Sequence, residues 1–166
     1  RTGLIWDLFM SSPEIQSTLE QMGWSTDENS GLNLSYFEGD WETLPDLETL
    51  IPVFEDVASV PTHTIRNRDD HYALRFLGTI HIVDSGEYTF YLSSDDGSRL
   101  VLDRQELITN DGVHGVVEIM ASVTLSAGEH PIQIDYFEKD GGQFLGLKYD
   151  GPNIEKQTIP VRQFSH

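Results

Sequence analysis

Asp95-Asp96-Gly97-Ser98 sets two adjacent carboxylates in front of residues that favour a tight turn. The chemistry open to such a pair is capture of a hard cation. Calcium takes about six to eight oxygen ligands from carboxylates, side-chain amides and backbone carbonyls. Asp95, Asp96, Asp111, Asp140, Asn110 and Gln143 offer that set, and nearby glycines let the backbone turn its carbonyls inward. There is no cysteine and the six histidines are scattered, which argues against zinc. Neighbouring side chains of an extended strand point to opposite faces. For both aspartates to grip one ion, the peptide between them must be a tight turn or a cis bond. Two carboxylates held that close also repel, raising one pKa unless a cation lies between them. The same tetrapeptide also reads as an ordinary hairpin turn.

The elements that must position these residues are mostly strands. Leu8, Phe9, Ile15, Leu19 and Met22 are loosely helix-spaced, and Ser12 with Pro13 marks a helix start. A short N-terminal helix is therefore expected. From Leu32 the pattern alternates with period two: Leu32 to Phe37; Leu74 to Ile82; Tyr88, Phe90 and Leu92; Leu100 and Leu102; Ile119 to Leu125; Ile132, Ile134 and Tyr136; Leu145, Leu147 and Tyr149. Residues 41–61, with Pro45, Pro52 and Pro61, read as irregular. Short strands separated by turns predict an all-β, antiparallel β-sandwich or barrel. The three tryptophans, Trp6, Trp24 and Trp41, read as core residues.

If each turn reverses the chain, four loops share one end with Asp95: 67–71, 95–98, 110–115 and 139–143. The opposite turns are short and ordinary. Long acidic loops rich in Gly and Asn on a rigid scaffold are where binding residues concentrate.

Composition narrows the partners. The 166 residues suit one domain, 1–166, with 1–30 as an N-terminal extension. The net charge of −18 argues against nucleic acid and against anionic membrane surfaces. No apolar run approaches the ~20 residues that span a membrane, so no membrane insertion is expected. The chain starts at Arg1 without a leader and reads as a module of a larger multidomain chain.

The run from Gly86 through Tyr88, Phe90, Leu92, Asp95, Asp96, Gly97 and Ser98 to Leu100 resembles the protective-antigen (PA-14) domain family. So do Asn110-Asp111-Gly112-Val113-His114-Gly115, Ser126-Ala127-Gly128-Glu129-His130-Pro131-Ile132, Tyr136-Phe137-Glu138 and Tyr149-Asp150-Gly151-Pro152. Leu34-Ser35-Tyr36-Phe37-Glu38-Gly39 is similar to the family's opening strand. The resemblance implies an antiparallel β-sandwich with long loops at one end. Lectin members carry an Asp-cis-Asp pair that binds Ca2+, matched here by Asp95 and Asp96. A second loop supplies further ligands, often backbone carbonyls, matched here by residues 139–144. That loop, Asp140-Gly141-Gly142-Gln143-Phe144, departs from the Asn and aromatic residues usual in fungal members and is more like bacterial ones.

The expected function is thus that of a calcium-dependent, non-enzymatic carbohydrate-binding (lectin) module of an extracellular or cell-surface adhesin. It would bind vicinal hydroxyls of glycans through the bound ion. The metal ligands expected are Asp95, Asp96, Gly141, Gln143 and Asp140, the last being either a ligand or a solvated turn residue. Asp95, Asp96, Gly142, Gln143, His114 and Asn110 would meet the sugar, with His114 alternatively only bracing its turn. The competing expectations are a calcium-stabilised spacer that binds no sugar and an accessory module of a glycosidase. Catalysis by the carboxylates themselves is a third, and against it no pattern selects an acid/base pair.

Overall fold

A computed structural model describes residues 12–22 and 27–166. Helix α1 (Pro13–Gln21) stands where the Pro13 start signal places it. The remainder of the expected helical stretch, with Trp6 and Trp24, lies outside the described residues. Eleven strands follow: β1 (Leu32–Glu38), β2 (Phe54–Ala58), β3 (Tyr72–Ile82), β4 (Gly86–Asp95), β5 (Ser98–Leu102), β6 (Gln105–Asn110), β7 (Val117–Leu125), β8 (Gly128–Glu138), β9 (Phe144–Gly151), β10 (Ile154–Thr158) and β11 (Phe164–Ser165). They form two antiparallel sheets. One has the order β2-β1-β3-β8-β5-β6, with β11 also on β3; the other runs β10-β9-β4-β7.

The alternating residues face each other across the sandwich. Leu74, Phe76 and Ile80 of β3 and Ile132, Ile134 and Tyr136 of β8 meet Tyr88, Phe90 and Leu92 of β4 and Leu145, Leu147 and Tyr149 of β9 in one buried cluster. Each such side chain contributes roughly 1.5–3 kcal/mol when withdrawn from water. A second cluster forms on the outer face of the larger sheet. There Phe37, Ala73 and Phe137 are covered by Leu47 together with Trp41, Leu44 and Leu50. Trp41 accordingly packs against protein near the loop end.

Three strands escape the sequence reading. β2 lies within 41–61, expected to be irregular, while β10 and β11 follow the last alternating run. β2 and β10 are short, charged edge strands, FEDVA and IEKQT. Edge strands carry charge to block further pairing, which erases the apolar alternation.

The connections that matter are arches between the two sheets. β4–β5, β6–β7 and β8–β9 each leave one sheet and enter the other at the same end. Segment 59–71 also arrives there. β2 and β3 both run antiparallel to β1, so this segment climbs the height of the sandwich. It is tied down where the His71 N–H donates to the Lys139 carbonyl at 3.1 Å.

Candidate metal and ligand site

Asp95 ends β4 in register with Phe144 of β9, and Ser98 opens β5 opposite Tyr136 and Asn110. The peptide bond between Asp95 and Asp96 is cis. Below this arch, Ser94 Oγ and Ser98 Oγ lie 2.6 Å apart, and the Asn110 amide donates to Ser94 Oγ and to the Val117 carbonyl. Gly97 follows because nothing larger fits. A Cβ there would stand 2.4 Å from Phe137 Cε1 and 2.9 Å from Asp111 Oδ1.

Asp96, only 2% exposed, joins all three arches. Its Oδ1 accepts the His114 N–H and its Oδ2 the Lys139 N–H, each at 2.9 Å. Each oxygen keeps a lone pair for a further partner. Asp95 is less buried, and its Oδ2 lies 3.1 Å from where a Cβ on Gly142 would stand. The third member is Glu138, the last residue of β8 and fully buried. One carboxylate oxygen from each of Asp95, Asp96 and Glu138 lies within 4.8 Å of the others.

Among the described residues no ion pair involves Asp95, Asp96 or Glu138. The neighbouring Lys139 turns its ammonium to Asp40 at 3.1 Å and Glu42 at 2.6 Å. Glu138 Oε1 is buried without a hydrogen-bond partner. Its Oε2 lies 3.1 Å from the Tyr136 hydroxyl, whose single proton also faces the Asp95 carbonyl at 2.6 Å. Burial first, and then the Asp96 charge, push Glu138 up to about 8, with Asp95 and Asp70 adding to the effect against the Tyr136 hydrogen bond. Asp95 is raised too, by burial and then by Asp96. Uncompensated burial of charge is costly. The donors are all hard oxygens, a set that fits calcium and not a soft metal. An orphaned, buried carboxylate oxygen inside the set is the specific sign that a cation fits there.

The other expected site residues have definite places. Gly141 and Gly142 are exposed on the β8–β9 arch beside Asp95. Gln143 donates to the Gly141 carbonyl at 3.0 Å and accepts from Arg66 Nη2 at 3.4 Å. Asp140 is exposed and outside the carboxylate cluster. Asp111 is also outside it: its Oδ1 takes the N–H groups of Leu44 and Gly112, which anchors the segment covering the outer cluster. The His114 ring faces the carbonyls of Gly115 and Asn110, bracing its own loop, while its backbone N–H serves Asp96. Asn110, expected at the rim, is 6% exposed and is a strut below the arch.

Two neighbours were absent from the expected set. Glu138 continues the inward phase Ile132, Ile134, Tyr136, so an acid at a core position was its available signal. Arg66 reaches Gln143 from segment 59–71, held by the His63 carbonyl and Asp69, and nothing in its local sequence marks it. Phe144, 40% exposed, presents a ring next to Asp95.

A family model described as PA14 domain matches residues 28–163. The anti-sigma-I factor RsgI3 of Acetivibrio thermocellus is 30% identical over 95 residues, which is 57% of this chain and 15% of that protein. Among solved structures, an anti-sigma factor domain-containing protein superposes with a TM-score of 0.74 at 22% identity, over 84% of this chain and 48% of its own. The PA14 sugar-binding domain from an RTX adhesin superposes with a TM-score of 0.71 at 14% identity, over 83% and 99%. At these identities both structures share the fold. The chain spans about half or less of the anti-sigma factor proteins it matches.

Proposed function

Because this chain belongs to the PA14 domain family, we propose that it is a calcium-dependent carbohydrate-binding module of a larger chain exposed outside the cell. The observation that carries this reading is the largely buried carboxylate cluster of Asp95, Asp96 and Glu138 at the loop end, which has no ion-pair partner among the described residues and one oxygen unpartnered.

Bound there, Ca2+ would supply a Lewis-acidic centre able to attract two neighbouring sugar hydroxyls. Asp95 and Asp96 would hold it and accept hydrogen bonds from those hydroxyls. Bonds to charged acceptors are roughly twice as strong as neutral ones, which favours a diol over a lone hydroxyl. Asp96 also keeps the three arches together through the His114 and Lys139 N–H groups, so the site is held open before ligand arrives. Backbone around Gly141 and Gly142 and the Gln143 amide, on the loop beside Asp95, would complete the shell. Phe144 offers an apolar face to a sugar ring beside the ion. The fold likeness to a sugar-binding domain of an adhesin supports this reading.

The 30% identity to an anti-sigma factor favours a second reading of the parent chain. The same module would then report a saccharide to a regulatory protein instead of holding a cell to a surface. Both readings share the site and differ in what is attached to it.

The test is glycan-array binding in calcium, repeated with a chelator and with Asp96→Ala. Binding is expected in calcium alone and lost in the other two conditions. Binding that survives the chelator, or survives the variant, overturns the mechanism. A calcium-dependent rise in melting temperature with a silent array would favour the spacer instead.

A further inference from the structure

We infer that Glu138 is the third carboxylate ligand of the site's cation, closing it from the core side. This inference rests on the calcium reading given above and adds a residue to it.

The fold itself shows how a buried carboxylate is treated when its role is structural. Asp135, three residues earlier on the outer face of β8, is as buried as Glu138. It receives Arg75 Nε at 2.8 Å and Nη2 at 3.1 Å, Arg99 Nη2 at 2.5 Å and Gln133 Nε2 at 2.8 Å. Glu138 receives one shared phenol hydroxyl and leaves Oε1 with nothing. A buried charge without a partner is strongly disfavoured, so a group of this kind persists where a partner from outside the chain completes it. Its place within 4.8 Å of the Asp95 and Asp96 oxygens defines that partner as a cation shared by all three.

Among the described residues, the neighbouring cations are engaged elsewhere. Lys139 is committed to Asp40 and Glu42. Arg66 is committed to Asp69, the His63 carbonyl and Gln143. The site is then asymmetric. Glu138 and Asp96 form its buried wall, while Asp95 and Gly142 form the exposed side from which a saccharide arrives. Glu138 therefore sets the affinity for the ion without touching the sugar. Ligand charge count is a main determinant of calcium affinity.

Calorimetric titration of Ca2+ into the chelator-treated domain tests this, using wild type, Asp96→Asn and Glu138→Gln. Wild type is expected to bind, and Glu138→Gln to bind roughly tenfold or more weakly. Wild-type affinity in Glu138→Gln overturns the inference and leaves the calcium reading standing. Absence of binding in wild type sinks both. If Glu138→Gln does not fold, calcium-soaked crystals of the unaltered domain decide. A Glu138 oxygen at about 2.3–2.6 Å from the ion supports the assignment, and an ion that Glu138 does not touch overturns it.

Discussion

Glu138 and His130 show how single residues on one strand take opposite electrostatic solutions. Both lie on β8 and both are buried, but only Glu138 is left without a counter-charge. His130 Nδ1 lies 2.8 Å from Asp103 and its Nε2 lies 2.7 Å from the Ser126 carbonyl. Burial pulls its pKa down, and the Ser126 and Asp103 contacts outweigh burial and leave it raised above 6.5. A raised folded-state pKa stabilises the fold below about 6.5, and this contribution is lost as pH rises through the folded value. The stability advantage of wild type over His130→Gln should therefore be full well below about pH 6.5 and fade as pH rises through the raised folded-state value. Thermal melts of the two proteins across that range measure it, and a constant gap would contradict the assignment. The Asp103 contact was invisible in sequence, because Asp103 reaches His130 only after β5 and β8 pair; the Ser126 contact is made within the β7–β8 turn.

At the scale of elements, three arches crossing between the sheets make the site. Their spacing depends on Gly97, whose position leaves no room for a Cβ between Phe137 and the β6–β7 loop. The Phe137 N–H also donates to the Gly97 carbonyl at 2.9 Å, so neither side can retreat freely. Gly97→Ala should destabilise the domain by about 1–3 kcal/mol through overpacking. Urea unfolding reads this, and an unchanged midpoint would show that Phe137 moves aside at no cost. The central strands were legible because period-two alternation is written into neighbouring residues. The edge strands β2 and β10 were not, because their charged residues hide it.

Over the whole molecule the net charge of −18 acts on stability and on choice of partner. Self-repulsion of this size weakens the compact state, and salt screens it over roughly 8–10 Å. The melting temperature in chelator should rise as sodium chloride is added, most steeply at low ionic strength. A flat or falling melt would show that the surface acids are already compensated locally. The chain by itself determined the all-β class, the ends at which loops gather and the Asp95-Asp96 pair, since alternation, turn residues and adjacent acids are local properties. Only the tertiary structure decided which acids face one another. It brought Glu138 in from β8, withdrew Asp111, Asn110 and the His114 ring into bracing roles, and left Asp140 at the surface. The physical reason is that a loop carboxylate takes whichever donor the packed arches offer. For Asp111 that donor was a neighbouring N–H, and for Glu138 the described residues offer no cation.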